Sequence, residues 1–461
     1  MIPEHPAGAA AGLPPGRIHL MTLVALRPEP FITQGSSPPR PDDFQPGFTG
    51  LRCRACGEPA AEGPVFVCHR CFGPLEAGYD LPALRARLSR DRIDARESDL
   101  WRFAELLPLS SRPAGGLRVP VSPLVEAPRL AARLGLERLW VKDDSRNPTL
   151  SFKDRVVAVA TARAVEWGFH TLACASTGNL SASVAAAAAA WGLRAVVFVP
   201  ADLETAKVAQ ASALGATLVR VEGPYDEVNR LCLELTDELE GWAFLNVNLR
   251  PYYAEGSKTI AFEIAQQLGW RAPDVIVAPL ASGSLYTKLA RGFRELTGVG
   301  LLDEAHIRFL GGQPAGCAPI ASAYGDGTDI VYPVERPETI VRSLAIGSPA
   351  DGTYAVRLAR ESDGAILAVS DQATVGAIRL LAETEGILTE TAGGVTLAAL
   401  RRAIADGEVR PDEEVVLVIT GNGIKTLDAL ADQRATLPEP IAPTLTAFET
   451  WWHAGAGVQA A

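Results

Sequence analysis

Two Cys-x-x-Cys pairs, Cys53-Arg-Ala-Cys56 and Cys68-His-Arg-Cys71, stand eleven residues apart. Four thiolates can close a tetrahedral site around Zn²⁺, and each short loop lets one pair grip the ion from a single turn. The spacing predicts a structural zinc ribbon at Cys53, Cys56, Cys68 and Cys71, a staple for a segment too small to hold a core of its own. His69 reads as a solvated neighbour. A DNA-binding role for the ribbon is disfavoured, since its few arginines do not cluster.

A different chemistry is available at Lys153. In Ser151-Phe-Lys-Asp-Arg155 it opens an apolar helical segment, with Ser151 as the expected N-cap and Asp154 in the first turn. A lysine is electrostatically misplaced there, because the helix end already carries partial positive charge. The same field favours the neutral amine, the form that attacks a carbonyl. An ordinary surface lysine is the plainer alternative.

Two polar turns follow predicted strands. Ser176-Thr-Gly-Asn179 precedes an Ala-rich helix and gathers hydroxyls, an amide and free backbone N–H groups, more than an N-cap needs. Ala281-Ser-Gly-Ser-Leu285 joins an apolar strand to another helix; its small residues let backbone amides approach an anion, so it reads as a phosphate cradle. Gly256-Ser-Lys-Thr259 lacks the glycine that a P-loop needs before its lysine, and Gly421-Asn-Gly423 lacks the last glycine of a dinucleotide fingerprint.

These groups need a scaffold. Short β-branched runs at residues 139–141, 171–175, 195–199, 217–221, 275–277, 308–311 and 415–420 alternate with amphipathic helices at 154–167, 180–191, 205–214, 225–239, 256–268 and 285–296. The alternation predicts an α/β fold with mostly parallel sheets, whose ligands sit at the carboxyl ends of the strands. Residues 1–46 carry Pro and Gly clusters and read as a disordered leader, with Met21 as a candidate second start. The ribbon is expected over 47–80, a helical connector over 81–117, the catalytic core over 118–435 with its smaller lobe at about 150–250, and a tail over 436–461.

Among 461 residues, 54 acidic side chains face 43 basic ones, a net charge of −11, which opposes a nucleic-acid binder with a basic surface. With 48% hydrophobic and 21% charged residues, the chain is neither a disordered nor a fibrous protein, and seven cysteines are too few for a disulfide scaffold. The longest apolar run, 184–193, is Ala-rich and ends at Arg194, short of the ~20 residues that span a bilayer. A cytoplasmic location, with neither nucleic acid nor membrane as partner, is the expectation.

Together, Ser151-Phe-Lys-Asp-Arg155, Ser176-Thr-Gly-Asn179, the Ser282-Gly-Ser284 loop and Ile419-Thr-Gly-Asn-Gly423 resemble, in order and spacing, the fold-type II pyridoxal-phosphate enzymes, and among them the threonine synthase family. The resemblance covers roughly residues 115 to 430 and includes Asn246-Val-Asn248, Glu255-Gly-Ser-Lys-Thr259, Ala345 to Gly352, and Glu385-Gly-Ile through Ala392-Gly-Gly394. Ribbons continuing as Phe72-Gly-Pro-Leu75 precede the core in a subset of that family.

The resemblance implies two doubly wound, mostly parallel-sheet lobes preceded by the small zinc ribbon. It implies that Lys153 binds pyridoxal 5'-phosphate covalently and that Asn179 contacts the ring hydroxyl. Ala281, Ser282, Gly283, Ser284 and Leu285 would hold the cofactor phosphate, and Thr420 would face the pyridine nitrogen. The implied reaction converts O-phosphohomoserine and water to L-threonine and phosphate, with Lys153 moving protons at Cα and Cβ. Ser151, Arg155, Ser176, Thr177, Asn248, Arg250 and Lys258 are the implied substrate contacts. Many relatives carry Gly-Asn-x-Gly-Asn where this chain has Ala281 to Leu285, a change that backbone contacts to phosphate tolerate. A homodimer is implied as well. The rivals are a threonine or serine dehydratase, a β-replacement synthase, and a catalytically dead binding protein; the joint presence of Lys153, Asn179 and Thr420 argues against the last.

Overall fold

The computed structural model describes residues 44–176, 178–201, 203, 205–223, 225–433 and 439–456. The expected leader as far as residue 43, with Met21, lies outside them, as do Thr177 and the last five residues.

Apolar runs with no polar side chain left to solvent form the central strands of two sheets. Val275–Pro279 and Glu414–Ile419 are buried at every position, the pattern of parallel strands covered by helices on both faces. The larger sheet runs Ala365–Val369, Arg308–Pro314, Val275–Pro279, Glu414–Ile419, Arg138–Asp143, Leu124–Glu126. Its neighbours are parallel except for the last pair. The smaller sheet, Thr217–Val221, Arg194–Pro200, Thr171–Ala175 and Trp242–Phe244, is parallel throughout. Every strand of the smaller sheet falls between two that belong to the larger one, Arg138–Asp143 and Val275–Pro279, so the smaller lobe is an excursion of the chain.

The helix Lys153–Glu166 is buried on two sides. Val156, Val157, Ala160 and Ala164 enter the core of the smaller lobe, while Ala158, Val159 and Ala162 pack with Leu100, Ala104 and Leu107. A helix apolar on both sides belongs in an interior.

Pro59–Ala60, Phe48–Cys53 and Leu75–Tyr79 form a three-stranded antiparallel sheet around the cysteines. Leu51, Cys53, Cys68, Leu75 and Ala77 are buried in the same apolar cluster as the smaller lobe, so this unit shares a core instead of enclosing one.

The stretch from Leu81 to Leu107 is not one helix. It consists of the short helices Leu81–Arg85 and Arg90–Asp94 and a 3₁₀ segment, Leu100–Leu106. Asp80, Ser89 and Asp99 each accept a hydrogen bond from a backbone N–H two or three residues ahead, and each such cap starts a new turn. In the expected tail, Thr444 caps a helix at Leu445–Trp451.

Candidate active site

Lys153 is the first residue of its helix, but Ser151 is not the N-cap. Phe152 holds that position with helical backbone angles, and Ser151 Oγ is buried with no hydrogen-bond partner among the described residues. Asp154 reaches back instead, its carboxylate accepting from the Thr149 N–H at 2.7 Å and the Thr149 hydroxyl at 2.6 Å. Leu150 has φ of 64°, a left-handed conformation that costs about 1–2 kcal/mol in a residue with a Cβ. The chain leaving the strand Glu414–Ile419 holds it there: Phe152 N–H donates to Thr420 O at 2.9 Å, and Asn422 N–H to Leu150 O at 3.0 Å. The turn therefore delivers Lys153 beside Thr420. Lys153 Nζ donates to the Tyr253 hydroxyl at 3.0 Å, and no carboxylate pairs with it among the described residues.

Asn179 opens the helix Asn179–Trp191. Its Nδ2 donates to Glu390 Oε2 at 2.7 Å, and Thr420 Oγ1 donates to Glu390 Oε1 at 3.2 Å, so one buried carboxylate spans two side chains from different lobes. Lys425 Nζ donates to Asn179 Oδ1 at 3.0 Å. Gly421 makes room for this arrangement, since a Cβ there would lie 2.5 Å from the Glu390 carboxyl carbon. Burial pushes the Glu390 carboxyl above its ordinary range, against the Asn179 and Thr420 donors and the Lys425 and Lys153 charges. Burial likewise draws the Lys425 ammonium down, against the pull of Glu390 and Asp154. Glu390, Lys425 and Tyr253 did not stand out in the sequence. An acidic residue just before a helix is the one signal Glu390 offers, and ordinary first-turn electrostatics explains that equally well.

The loop after Val275–Pro279 opens the helix Ser284–Gly298, and Gly283 sits at its N-cap with φ of 90°. A side chain at Gly283 would strain that conformation and approach Asp351 O to 2.8 Å. The Asp351 N–H donates to Ser282 O at 2.8 Å, which ties the loop to the start of the helix Gly352–Glu361. The first N–H groups of Ser284–Gly298 have no acceptor within the helix, and the dipole adds positive potential there. Because Val275–Pro279 and Glu414–Ile419 are adjacent and parallel, this loop and Thr420 leave the sheet side by side at its carboxyl edge.

A model of the pyridoxal-phosphate dependent enzyme family matches residues 117–421. The chain belongs to that family. A threonine synthase of Methanosarcina acetivorans is 35% identical over 83% of this chain and 93% of its own length, and one of Mycobacterium bovis is 37% identical over 70% and 87%. Among solved structures, threonine deaminase isoform 2 from Solanum lycopersicum superposes with a TM-score of 0.58, covering 68% of this chain and 84% of that one at 21% identity, a likeness of fold.

The residues present fit the family's cofactor, a phosphorylated aromatic aldehyde. An amine without a carboxylate partner, the buried and unpartnered Ser151 hydroxyl, and a glycine-turned loop at a helix N-terminus supply nucleophile, donor and anion cradle. In this structure Asn179 and Thr420 both donate to Glu390, because a buried carboxylate must be satisfied.

Several implied substrate contacts are placed elsewhere. Arg155 is fully buried, its guanidinium bonded to Asp144 and Glu263 at 2.5–3.0 Å and to Ser122 and Thr259. Lys258 is fully buried between Glu255 and Glu295, each at 2.6 Å. Both charges are neutralised inside the protein and do not face an entering phosphate. Asn248 Oδ1 accepts from the Phe244 N–H at 3.0 Å, and Ser176 Oγ accepts from the N–H groups of Gly178 and Ser181, so these side chains shape turns. Arg250 remains accessible at 38% side-chain exposure, with one Nη donating to Asp351 at 3.1 Å.

The four cysteine sulfurs lie within 4.8 Å of one another, and Cys53–Cys71 and Cys56–Cys68 stand at 3.5 and 3.8 Å. Burial opposes ionisation of Cys53, but the N–H groups of Cys56 and Ala55 outweigh it and hold that thiol down to about 7. Against the Gly73 N–H, hydrogen bonds with the Cys56 and Cys53 sulfurs push the Cys71 thiol the other way, up to about 12, as expected of close sulfurs that share protons.

Proposed function

We propose that the chain converts O-phosphohomoserine and water to L-threonine and phosphate, with pyridoxal phosphate as cofactor. The observation that carries the reading is the meeting of Lys153, Asn179 and Thr420 beside the loop 281–285, with Arg250 left accessible, in a chain whose relatives at 35–37% identity are threonine synthases. Lys153 would bind the cofactor aldehyde, backbone N–H groups of 281–285 its phosphate, and Asn179 and Thr420 its ring. When bound, the group supplies an electron-accepting ring for carbanionic charge at Cα.

The protein's own residues do the rest. The Lys153 amine would take and return protons at Cα and Cβ, and the Tyr253 hydroxyl at 3.0 Å orients it. Arg250 receives the substrate phosphate, which leaves from Cγ, and its planar donors suit that anion. Glu390 holds Asn179 and Thr420 in a fixed relation: Asn179 keeps a second Nδ2 hydrogen to donate, and Thr420, whose one hydrogen is on Glu390, presents its oxygen as an acceptor.

We further propose a structural Zn²⁺ in the four-cysteine site, a homodimer, and a cytoplasmic location. No helix among the described residues is long and apolar enough to cross a membrane.

Borohydride treatment of the cofactor-loaded enzyme should bleach its absorption band and leave a covalent label on Lys153, located by peptide mass. Phosphate release should require O-phosphohomoserine and yield threonine. An unlabelled Lys153, or 2-oxobutanoate formed from threonine as the sole activity, would overturn the reading.

A further inference from the structure

Among the polar contacts between the cysteine ribbon and the catalytic core, which include Glu62 with Arg163 and Tyr79 with Glu255, two lead to the same loop. Arg54, between the first two cysteines, donates from Nη1 to Asp351 Oδ1 at 2.7 Å, and its guanidinium lies 3.8 Å from the centre of the Tyr354 ring. Glu76, on the ribbon strand Leu75–Tyr79, pairs with Lys288 at 2.8 Å and with Arg291, both on the helix Ser284–Gly298. Asp351 is 6% exposed. It stands against Gly283, donates its N–H to Ser282 O, and gives its second carboxylate oxygen to Arg250.

We propose that Arg54 is a positioning residue through which the state of the four-cysteine site reaches the loop 281–285 and Arg250. Arg54 and Arg250 each take one oxygen of Asp351, so the carboxylate is fixed in rotation and its backbone N–H is aimed at Ser282. Withdrawing Arg54 frees Asp351 to turn both oxygens toward Arg250, which pulls that cation from its accessible position and loosens the loop. The position of Arg54 depends in turn on the knuckle. Its flanking residue Cys53 and the neighbouring Ala55 pack so closely on Gly73 that a Cβ there would lie 2.9 Å from Ala55 Cβ and 3.0 Å from Cys53 Sγ. The Arg54 N–H also donates to Pro74 O at 2.9 Å and Cys53 pairs with Leu75, and a metal bound by the four sulfurs would add a direct link between the two knuckles on either side of Arg54.

This inference rests on the proposed cofactor site, and the test separates the two. Pyridoxal phosphate is titrated into the full chain and followed by visible absorbance, with KM for O-phosphohomoserine measured alongside. The proteins are wild type, Arg54→Met, Arg54→Lys and Cys56→Ser, each with and without added Zn²⁺. Arg54→Met should weaken cofactor binding about tenfold, equivalent to about 1.4 kcal/mol, and raise KM more than it lowers kcat. Arg54→Lys should recover part of both losses. Removing Zn²⁺ should weaken cofactor binding in wild type but add little in Arg54→Met, because both perturbations break one link. If Arg54→Met folds poorly, Arg54→Lys with and without Zn²⁺ carries the comparison. Cofactor affinity within twofold of wild type in Arg54→Met, or Zn²⁺ and Arg54 effects that simply multiply, would overturn the proposal while leaving the cofactor site intact. No cofactor binding by the wild-type chain would overturn both.

Discussion

Replacing Arg155 with Met distinguishes a substrate ligand from a structural ion. Arg155, Lys142, Asp144 and Glu263 are all fully buried and form a neutral cluster of two cations and two anions. Arg155→Met leaves a net negative charge among groups that have no access to water. Breaking a buried pair by removing one partner costs about 3–5 kcal/mol, since the remaining charge keeps its desolvation penalty. With an unfolding entropy of ~2.1 cal/mol/K per residue over roughly 400 ordered residues, ~0.85 kcal/mol/K, the expected fall in Tm is about 4–6 °C.

The same cluster fixes the pH dependence. Burial raises the Asp144 carboxyl, but the Arg155 charge outweighs it and holds the group below its ordinary range. A depressed carboxyl adds stability above its unfolded pKa and loses it as pH falls through the folded one. Without Arg155, burial dominates and Asp144 protonates readily. The Tm gap between wild type and variant should therefore be widest near neutral pH and narrow in acid, as differential scanning calorimetry across pH would show. An unchanged Tm with a raised KM for the phosphorylated substrate would refute the reasoning and return Arg155 to the substrate site.

Other perturbations test the site and its supports. Glu390→Gln keeps the shape but turns an amide N–H toward one of the two donors, Asn179 or Thr420; kcat should fall roughly 10- to 100-fold in steady-state assays, the equivalent of one charged hydrogen bond. Gly421→Ala places a methyl against the same carboxylate, so it should reproduce the kcat loss with little change in Tm; full activity would mean that the Glu390 side chain moves freely. Burial opposes the charge on Glu255, but Lys258 and Lys288 pull its carboxyl down to about 2 from an ordinary 4.5. The stability it contributes is complete above about pH 4.5 and is lost as pH falls toward 2, so Glu255→Gln should differ from wild type near neutrality and converge with it in acid. A gap that stays constant with pH would count against that ion network.

The strongly periodic elements were legible because their signal is local. Fully apolar runs such as 275–277 and the helices at 154–167 and 285–296 announce themselves within a dozen residues. The strands Leu124–Glu126 and Trp242–Phe244 were not, since three residues carry no period and are held by partners far along the chain. In the helical connector expected from residue 81, polar caps at Ser89 and Asp99 start separate short turns.

The sequence by itself determined the motifs that close on themselves: the cysteine pairs, the lysine at a helix start, and two small-residue turns between strand and helix. A few consecutive residues specify such groups through backbone hydrogen bonding and turn geometry. Only the tertiary structure decided which charges are free to act. Arg155 and Lys258 looked like phosphate ligands until Glu263, 108 positions from the first, and Glu295, 37 from the second, took their charges into the interior. Glu390 became the shared partner of Asn179 and Thr420, and Arg54 that of Asp351, across 211, 30 and 297 positions. A side chain's electrostatic role depends on its burial and its neighbours, and those are set by strands and helices brought together from distant parts of the chain.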